Sequence, residues 1–232
     1  MEYSLAVDGF EIVPSMLTQS EIEALRSALD SLKIRPGHRN LMQRVPGIAA
    51  LAMSPKILGL LENLLGTVPF PVRSIFFDKT PKANWLVPWH QDLSIAVKRR
   101  LDAVGYGPWS TKEGVPHVQP PTGILKSMVT LRLHLDDCDE SNGALRVIPA
   151  SHRQGRLNAA EIVELRSNQK EVVCRLGAGD GLLMRPLLLH ASSEAWAPAH
   201  RRVVHLEYAA CSLPDGLEWA ENCWPRRTSQ LG

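Results

Sequence analysis

The stretch SMVTLRLHLDDCDESNGALRVIP, residues 127–149, contains two predicted β-strands and the turn between them. Leu131, Leu133 and Leu135 alternate with polar residues, which is the pattern of a strand with one buried face. The segment DESNG then provides turn-forming residues, and a second short apolar run follows it. Residues 127–149 therefore predict β-structure in the middle of the chain.

Four other short runs, often rich in β-branched residues, have the same character, and Gly-, Pro- or Asp-rich turns separate them. They are PVRSIFFDK (71–79), EVVCRL (171–176), GLLMR (181–185) and RRVVHLEYAA (201–210). Helices are predicted before them at 18–33, where Thr18 and Glu21 form a capping box, and at 54–66, which ends at a glycine. A further helix follows Asn158. This order predicts a mainly β fold, a sandwich or barrel with helices packed on one face.

Composition favours one globular domain, because 232 residues with 44% hydrophobic content form a core of substantial size. The net charge is +2 and the 26 basic and 24 acidic residues are interspersed, so no nucleic-acid or membrane partner is expected. No segment approaches the ~20 apolar residues of a membrane span, and the first residues lack the pattern of a signal peptide. The cysteines, Cys138, Cys174, Cys211 and Cys223, form no CxxC pair, so free thiols and a cytoplasmic location are expected.

His90 and Asp92 are two residues apart in the apolar, strand-like run WLVPWHQDLSIAV, residues 85–97. Positions i and i+2 of a strand face the same side, so the two side chains converge. With a distant histidine they would form the two-His-one-carboxylate triad that suits Fe(II) and leaves the other coordination positions of the octahedral ion open. An ordinary polar strand end is the alternative interpretation, and the chain holds a second such pair, His134 and Asp136.

The candidate for the distant histidine is His190, which closes the apolar run in RPLLLH, and His152 and His200 are rival candidates. Four segments, taken in order, resemble the phytanoyl-CoA dioxygenase family; they are WHQD, LRLHLDDCDESNGALRVIPASHRQGRL, LLLHASS and RRVVHLEY. The similarity extends over about residues 70–210. This chain departs from the family pattern at IPASH, where Ala150 stands in place of the usual glycine.

The resemblance implies a double-stranded β-helix core, also called jelly-roll or cupin-like, and an activity that depends on Fe(II), 2-oxoglutarate and O2. Carried over onto this sequence, the iron ligands and catalytic residues are His90, Asp92 and His190. The second pair, in RLHLDD, matches a different element of the family and is not expected to bind iron.

The resemblance also implies a 2-oxoglutarate site. The family arginine lies eleven residues beyond the distal histidine, which gives Arg201, and a guanidinium suits a bidentate carboxylate contact. Strand parity alone leaves Arg202 as an alternative. Ser192 matches a family serine that helps bind the same carboxylate. Arg132 shares a polar strand face with His134 and is expected to contact the cosubstrate or an acidic substrate, with a plain salt bridge as the alternative.

The chain is predicted to be a single domain over residues 1–232, with N-terminal helices at about 15–66 and a β-helix core at about 68–212. Inside the core, residues 98–126 are predicted to be a long irregular loop that forms a lid, with a disordered insertion as the alternative. The expected substrate-contacting residues are Trp109, His117, Gln119 and His134.

The predicted function is hydroxylation of an unactivated C–H bond in a small molecule, with release of succinate and CO2. The carboxylate of Asp92 argues against halogenation, because related halogenases lack it. Two other classes remain open. One is a cupin-like metal enzyme that needs no 2-oxo acid, which would not require Arg201. The other is a non-catalytic barrel used for binding. The sequence specifies neither the substrate nor the oligomeric state.

Overall fold

The computed structural model describes residues 3–32, 37–197 and 199–221, which contain twelve β-strands and six α-helices. The strands are β1 (Phe10–Val13), β2 (Phe70–Lys79), β3 (Val87–His90), β4 (Ile95–Ala96), β5 (Trp109–Lys112), β6 (Val115–Val118), β7 (Met128–His134), β8 (Leu145–Val147), β9 (Val172–Val173), β10 (Gly181–Met184), β11 (His190–Ser192) and β12 (Arg201–Ala209). The helices are α1 (Gln19–Ser31), α2 (Leu41–Arg44), α3 (Pro46–Ala52), α4 (Pro55–Leu65), α5 (Thr122–Lys126) and α6 (Ala159–Asn168).

Two antiparallel sheets form the core. The major sheet has the strand order β1-β10-β7-β12-β2, and the minor sheet has the order β3-β11-β8-β9. Side chains from both sheets line one cavity, so the two sheets face each other across it. Leaving out β1, each sheet contributes four strands in the interleaved order of a double-stranded β-helix, as predicted from the sequence.

The two faces of the major sheet have different roles. On the face toward the helices, Val204, Leu206 and Tyr208 of β12 join the leucines of β7 in one buried cluster with residues of α1, α3 and α4. The Tyr208 hydroxyl donates to the Ala52 carbonyl at 3.1 Å. Each such aliphatic or aromatic side chain contributes about 1.5–3 kcal/mol by leaving water. The opposite face turns toward the minor sheet and carries the charged residues described below.

The predicted helices form with the predicted caps. Thr18 and Glu21 make the capping box of α1, and Ser54 caps α4, which ends at Gly66 in a left-handed conformation. Asn158 caps α6. The short helices α2 and α3 were not predicted, and neither was β1, which pairs with β10 at the edge of the major sheet. The order of helices first and strands afterwards is therefore incomplete.

The expectation of an irregular loop is confirmed for residues 98–108 and is wrong for most of residues 109–126. Strands β5 and β6 form a hairpin, and β6 also pairs with β4 to give a three-stranded sheet; α5 closes the segment. Glycine at 105, 107 and 114 takes positive φ, so the turns lie between these elements. Most of the glycines and prolines that suggested a loop thus occupy the connections of a small sheet, whereas Pro116 lies in β6 and Gly123 lies in α5.

Three cysteines of the described residues, Cys138, Cys174 and Cys211, are free thiols, and Cys223 lies outside the described residues. No single helix in the described part of the chain has the length and apolar character to cross a membrane. The pair α3 and α4, bent by 41° at their break, meets that test together. Buried side chains of both helices pack in the cluster against the major sheet.

Candidate metal centre

The minor sheet brings the three predicted metal ligands together. His90 ends β3 and His190 begins β11, and the two residues are direct partners across these antiparallel strands. Asp92 lies two residues beyond His90, with its Oδ1 at 3.7 Å from His90 Nε2 and its Oδ2 at 3.7 Å from His190 Nε2. Two ligands of one ion are at most about 4.2 Å apart when each lies about 2.1 Å from it. One ion therefore fits between these atoms with little movement.

The backbone selects which nitrogen each histidine offers. His90 Nδ1 lies 2.8 Å from the Pro88 carbonyl, and His190 Nδ1 lies 2.8 Å from the Leu188 carbonyl. A carbonyl only accepts, so each Nδ1 carries the proton and donates it. Each Nε2 is then left with a free lone pair directed at Asp92, which is the form that a metal binds.

The protonation states also suit a metal. Burial lowers the pKa of His190 to about 4, so this ring is neutral at neutral pH. Burial alone would raise the pKa of Asp92, but His190 and His90 lower it well below its ordinary value. Burial lowers the pKa of His90, but the hydrogen bond and charge of Asp92 outweigh it and raise this pKa overall, so a metal ion would take the place of a proton on this ring. Two neutral imidazoles and one carboxylate are the donor set of mononuclear Fe(II) sites with open positions. In the part of the chain that the structure describes, this is the one group of three such side chains with converging ligand atoms.

Gln91 holds the loop between the two ligands. Its Nε2 donates to the carbonyls of Gly155 and Leu187 at 2.7 Å, and its Oε1 accepts from the Leu157 amide at 2.8 Å. The Asp92 amide donates to the Pro186 carbonyl at 2.9 Å. Gln91 is 6% exposed, so these contacts are shielded from water and fix the ligand loop.

A cavity of about 170 Å³ opens beside the three ligands, between the two sheets. Its walls come from both sheets and from the segment before β3; they include Arg73, Phe77, Trp85, Val87, Arg132, Leu145, Ser192, Arg201 and His205. The three residues predicted to bind 2-oxoglutarate, Arg201, Ser192 and Arg132, are therefore brought together with the metal ligands.

The structure separates Arg201 from Arg202. Arg201 is 3% exposed, donates to the Gly143 carbonyl through Nη1, and has a buried Nε without a partner among the described residues. Arg202 lies on the opposite face, where its Nε and Nη2 each contact the Asp136 carboxylate at 2.9 Å. Arg26 also binds Asp136 at 2.7 Å. Asp136 is thus occupied by two arginines on the helix side, away from the cavity.

A chain of buried polar side chains that the sequence did not single out continues from Arg132. Its Nη1 lies 3.0 Å from His205 Nδ1, and His205 Nε2 lies 3.1 Å from the Glu207 carboxylate. Arg73 then pairs with Glu207 at 2.7 Å. Parity was the signal that could have found these residues, because Arg201, His205 and Glu207 alternate along β12 and share one face.

Lys79 is a second residue that sequence reasoning missed. It is fully buried, and its backbone lies opposite that of Arg201 in the pairing of β2 with β12. Its ammonium group donates to Ser192 Oγ at 3.1 Å and to the Ser193 carbonyl. Since the ammonium occupies a lone pair of Ser192 Oγ, the hydroxyl proton is free to point elsewhere. The sequence holds no local signal for this contact, because it depends on the register of two strands that are far apart in the chain.

The other predicted site residues lie outside the lining of this cavity. His134 is buried, with both ring nitrogens unpaired among the described residues. Trp109 packs in the cluster of the three-stranded sheet, and His117 is buried there with Nδ1 at 3.0 Å from the Val115 carbonyl. Gln119 bonds through its backbone to Gly107 and Pro108. A substrate contact for each of these four stays a prediction.

The rival metal ligands have other surroundings. His200 Nδ1 lies 2.9 Å from the Asp78 carboxylate, and the histidine side chain is 59% exposed. His152 lies against the backbone of Gly9, where a Cβ would come within 2.3 Å of its Nδ1. Neither histidine joins the converging group.

Comparison with known proteins finds one matching family model and many solved structures with a similar fold. The family model described as phytanoyl-CoA dioxygenase (PhyH) matches residues 5–203. No curated protein sequence matches. Among solved structures, AviO1 from Streptomyces viridochromogenes Tue57 has a TM-score of 0.67 at 21% identity, covering 91% of this chain and 94% of its own.

Two further structures have the same fold. EctD from S. alaskensis, crystallised with 2-oxoglutarate and 5-hydroxyectoine, gives a TM-score of 0.70 at 18% identity, covering 89% of this chain and 73% of its own. SnoN, a non-haem alpha-ketoglutarate-dependent epimerase from nogalamycin biosynthesis, gives 0.66 at 20% identity, covering 90% and 80%. At these identities the likeness concerns the fold, and the fold predicted from the sequence is confirmed.

Proposed function

The chain belongs to the phytanoyl-CoA dioxygenase family, and we propose that it hydroxylates an unactivated C–H bond of a small molecule with release of succinate and CO2. The cofactors predicted from the sequence, Fe(II), 2-oxoglutarate and O2, are those of this family. The observation that carries the proposal is the convergence of two histidine Nε2 atoms and one carboxylate on the wall of a cavity that also contains a buried arginine.

We assign iron binding to His90, Asp92 and His190. Fe(II) with 2-oxoglutarate and O2 supplies the oxidising power when bound. The protein residues position the partners. The Nδ1 contacts of both histidines hold the rings in the orientation that aims Nε2 at the ion. The backbone amide of Asp92 donates to the Pro186 carbonyl and the side-chain amide of Gln91 donates to the Leu187 carbonyl, so the segment that carries Asp92 is also held in place.

Binding of 2-oxoglutarate is assigned to Arg201 and Ser192 at the distal carboxylate, with Arg132 as a second cation. Arg201 and Arg132 are both buried, and no carboxylate of the described residues forms an ion pair with either. A buried guanidinium without an anion is costly, so a dicarboxylate is a suitable partner for this cavity. A metal enzyme that needs no 2-oxo acid would not need these two charges.

The remaining walls favour a small organic substrate. Phe77, Trp85, Val87 and Leu145 give the cavity apolar surface beside the metal ligands. Such surface excludes water from the reacting centre and holds a C–H bond near it. We keep the cytoplasmic location as a prediction.

Hydroxylation is the default outcome, and a second outcome is favoured by one observation. SnoN has the same fold and is an epimerase, so the fold also supports a reaction that rearranges a C–H bond without leaving oxygen in the product. Mass analysis of the product separates the two: hydroxylation adds one oxygen atom, and epimerisation leaves the mass unchanged.

The experiment that tests the metal assignment is the pair Asp92→Ala and Asp136→Ala. Asp92→Ala should abolish Fe(II) binding, measured by anaerobic titration, or succinate release, because one of the three ligands is lost. The substituted protein should keep its circular dichroism spectrum.

Asp136→Ala is the matched control, since it also removes a carboxylate of a His-x-Asp pair. It should bind Fe(II) like the wild type and lose about 1–3 kcal/mol of unfolding free energy, because Arg202 and Arg26 lose their partner. Wild-type succinate release by Asp92→Ala with an unchanged circular dichroism spectrum would show that the assignment is wrong.

A further inference from the structure

A second cavity, of about 340 Å³, lies apart from the metal centre and is lined by basic residues. Lys126, His152, Arg153 and Arg185 surround it, and Ala6, Leu125 and Leu187 add apolar surface. They come from four places in the fold: the N-terminal segment, α5, the turn after β8, and the connection from β10 to β11. The size falls within the range of small-molecule sites.

No carboxylate of the described residues forms an ion pair with this cluster. In the described residues, none of the four basic side chains takes part in an ion pair. Arg185 is only partly exposed, and its Nη1 has long contacts to the carbonyls of Lys126 and Met128, at 3.5 and 3.4 Å. Burial lowers the pKa of Arg185 without an opposing acid. The half-buried guanidinium of Arg185 therefore has no anionic partner among the described residues, which is energetically costly.

His152 supplies an independent observation. Its buried Nδ1 has no hydrogen-bond partner among the described residues. The ring reaches its position because residue 9 is glycine at φ +83, where a Cβ would overlap the imidazole. Burial and then the charges of Arg185 and Arg153 lower the pKa of His152, so the three side chains lie within electrostatic range. The charge of Asp8 acts in the opposite direction and raises the pKa of His152; the Asp8 carboxylate accepts a hydrogen bond from the Ser4 amide at 2.9 Å.

We propose that this cavity is a second ligand site that binds an oxyanion such as a phosphate group, separate from the 2-oxoglutarate site. Arg153 and Lys126 are exposed at its rim and attract the anion, Arg185 donates from within it, and His152 forms part of its wall. The apolar residues favour an anionic group carried on an organic molecule.

The segment of residues 185–187 connects this site to the loop that carries Gln91 and Asp92. The Pro186 carbonyl accepts from the Asp92 amide at 2.9 Å, and the Leu187 carbonyl accepts from Gln91 Nε2 at 2.7 Å. The segment of residues 185–187 therefore lines the oxyanion site through Arg185 and Leu187 and contacts the loop of the iron ligands through the carbonyls of Pro186 and Leu187.

The test is calorimetric titration of the metal-free protein, at ionic strength held constant with sodium chloride, with inorganic phosphate and, separately, phenyl phosphate. Saturable binding of either compound is expected. Preference for inorganic phosphate identifies the free ion as ligand, and preference for phenyl phosphate identifies a group on an organic molecule.

Arg185→Gln and Arg153→Gln should each weaken this binding by at least tenfold. Arg175→Gln is the matched control: it changes the net charge equally at an exposed arginine that pairs with Glu140, and it should bind like the wild type. The exposed Arg153 keeps the test valid if Arg185→Gln does not fold. Absence of saturable binding of both compounds, or equal weakening in Arg175→Gln, overturns the proposal and leaves the iron assignment untouched.

Discussion

At the scale of single residues, one step along β12 separates two arginines with opposite surroundings. Arg201 faces the cavity and Arg202 faces Asp136 under the helices. We predict that Arg201→Ala raises the apparent KM for 2-oxoglutarate by on the order of a hundredfold, because a charge-assisted contact is lost. Succinate release at varied 2-oxoglutarate measures it.

Arg202→Ala is the control for that variant. It should leave the KM for 2-oxoglutarate near the wild-type value and lower the free energy of unfolding by about 1–3 kcal/mol, because Asp136 loses a partly buried partner. Denaturant unfolding measures the second effect. A large KM change in Arg202→Ala with none in Arg201→Ala would show that the assignment of the cosubstrate arginine is wrong.

At the scale of elements, the turn after β8 shows how a departure from the family pattern is accommodated. Ala150 takes the left-handed conformation, at φ +61 and ψ 1, that the family glycine adopts easily. The turn is therefore retained at a cost in strain. We predict that Ala150→Gly raises the free energy of unfolding by about 0.5–1 kcal/mol, measured by denaturant titration.

Ala24→Gly in α1 serves as the comparison for Ala150→Gly. This alanine is exposed within a helix, so glycine should lower the free energy of unfolding there by about 1 kcal/mol. The same chemical change thus has opposite signs at two backbone conformations. Destabilisation of similar size at both positions would contradict the strain argument.

The hairpin of β5 and β6 carries the lid proposal. Its turn is tied to the segment before α2, where Glu113 accepts from the Arg39 amide at 3.3 Å. Burial and then Arg73 lower the pKa of Lys112, whereas Asp92 raises it, so this end of the hairpin lies within electrostatic range of the metal ligand. We propose that residues 98–126 close over bound substrate and shield the centre from water.

Limited trypsin digestion tests the lid. Cleavage after Lys112 should be rapid in the metal-free protein and slow with Fe(II), 2-oxoglutarate and a confirmed substrate under nitrogen, where turnover cannot proceed. Cleavage after Lys170, an exposed residue outside the insertion, should not change and serves as the internal control. If Lys112 is cut equally in both states, the lid does not exist.

At the scale of the whole molecule, the interior between the sheets holds more positive than negative charge. Lys79 is fully buried there, and burial, followed by the charge of Arg201, lowers its pKa to about 8. Between pH 8 and its ordinary value of 10.5, the unfolded chain binds this proton and the folded chain does not. The contribution of Lys79 to stability therefore rises as the pH rises through this window.

Lys79→Met isolates that contribution. The wild type should gain up to about 3 kcal/mol of unfolding free energy from this group between pH 8 and 10.5, and the variant should lack the gain. Denaturant unfolding of both proteins at matched pH values gives the difference, because other groups titrate alike in both. Parallel pH profiles for the two proteins would refute a depressed pKa for Lys79.

The sequence by itself determined the features that depend on neighbouring residues. Alternation along β7 and β12 and the caps of α1, α4 and α6 follow from local sequence patterns. The spacing of His90 and Asp92 predicted their convergence, although Asp92 lies in the loop after β3 and not on the strand. The ordered motifs also indicated His190 as the distant partner, and the structure brings it to the other two.

Only the tertiary structure decided which face of each strand is inside and which distant strands are paired. Parity placed Arg201 with His205 and Glu207, but the packing of helices on the other face decides that their face turns inward, where Arg201 and His205 line the cavity. Lys79 meets Arg201 through a register between β2 and β12, and β6 meets β4 across the insertion. Such pairings join residues far apart in the chain, and they are set by burial of whole faces rather than by any local period.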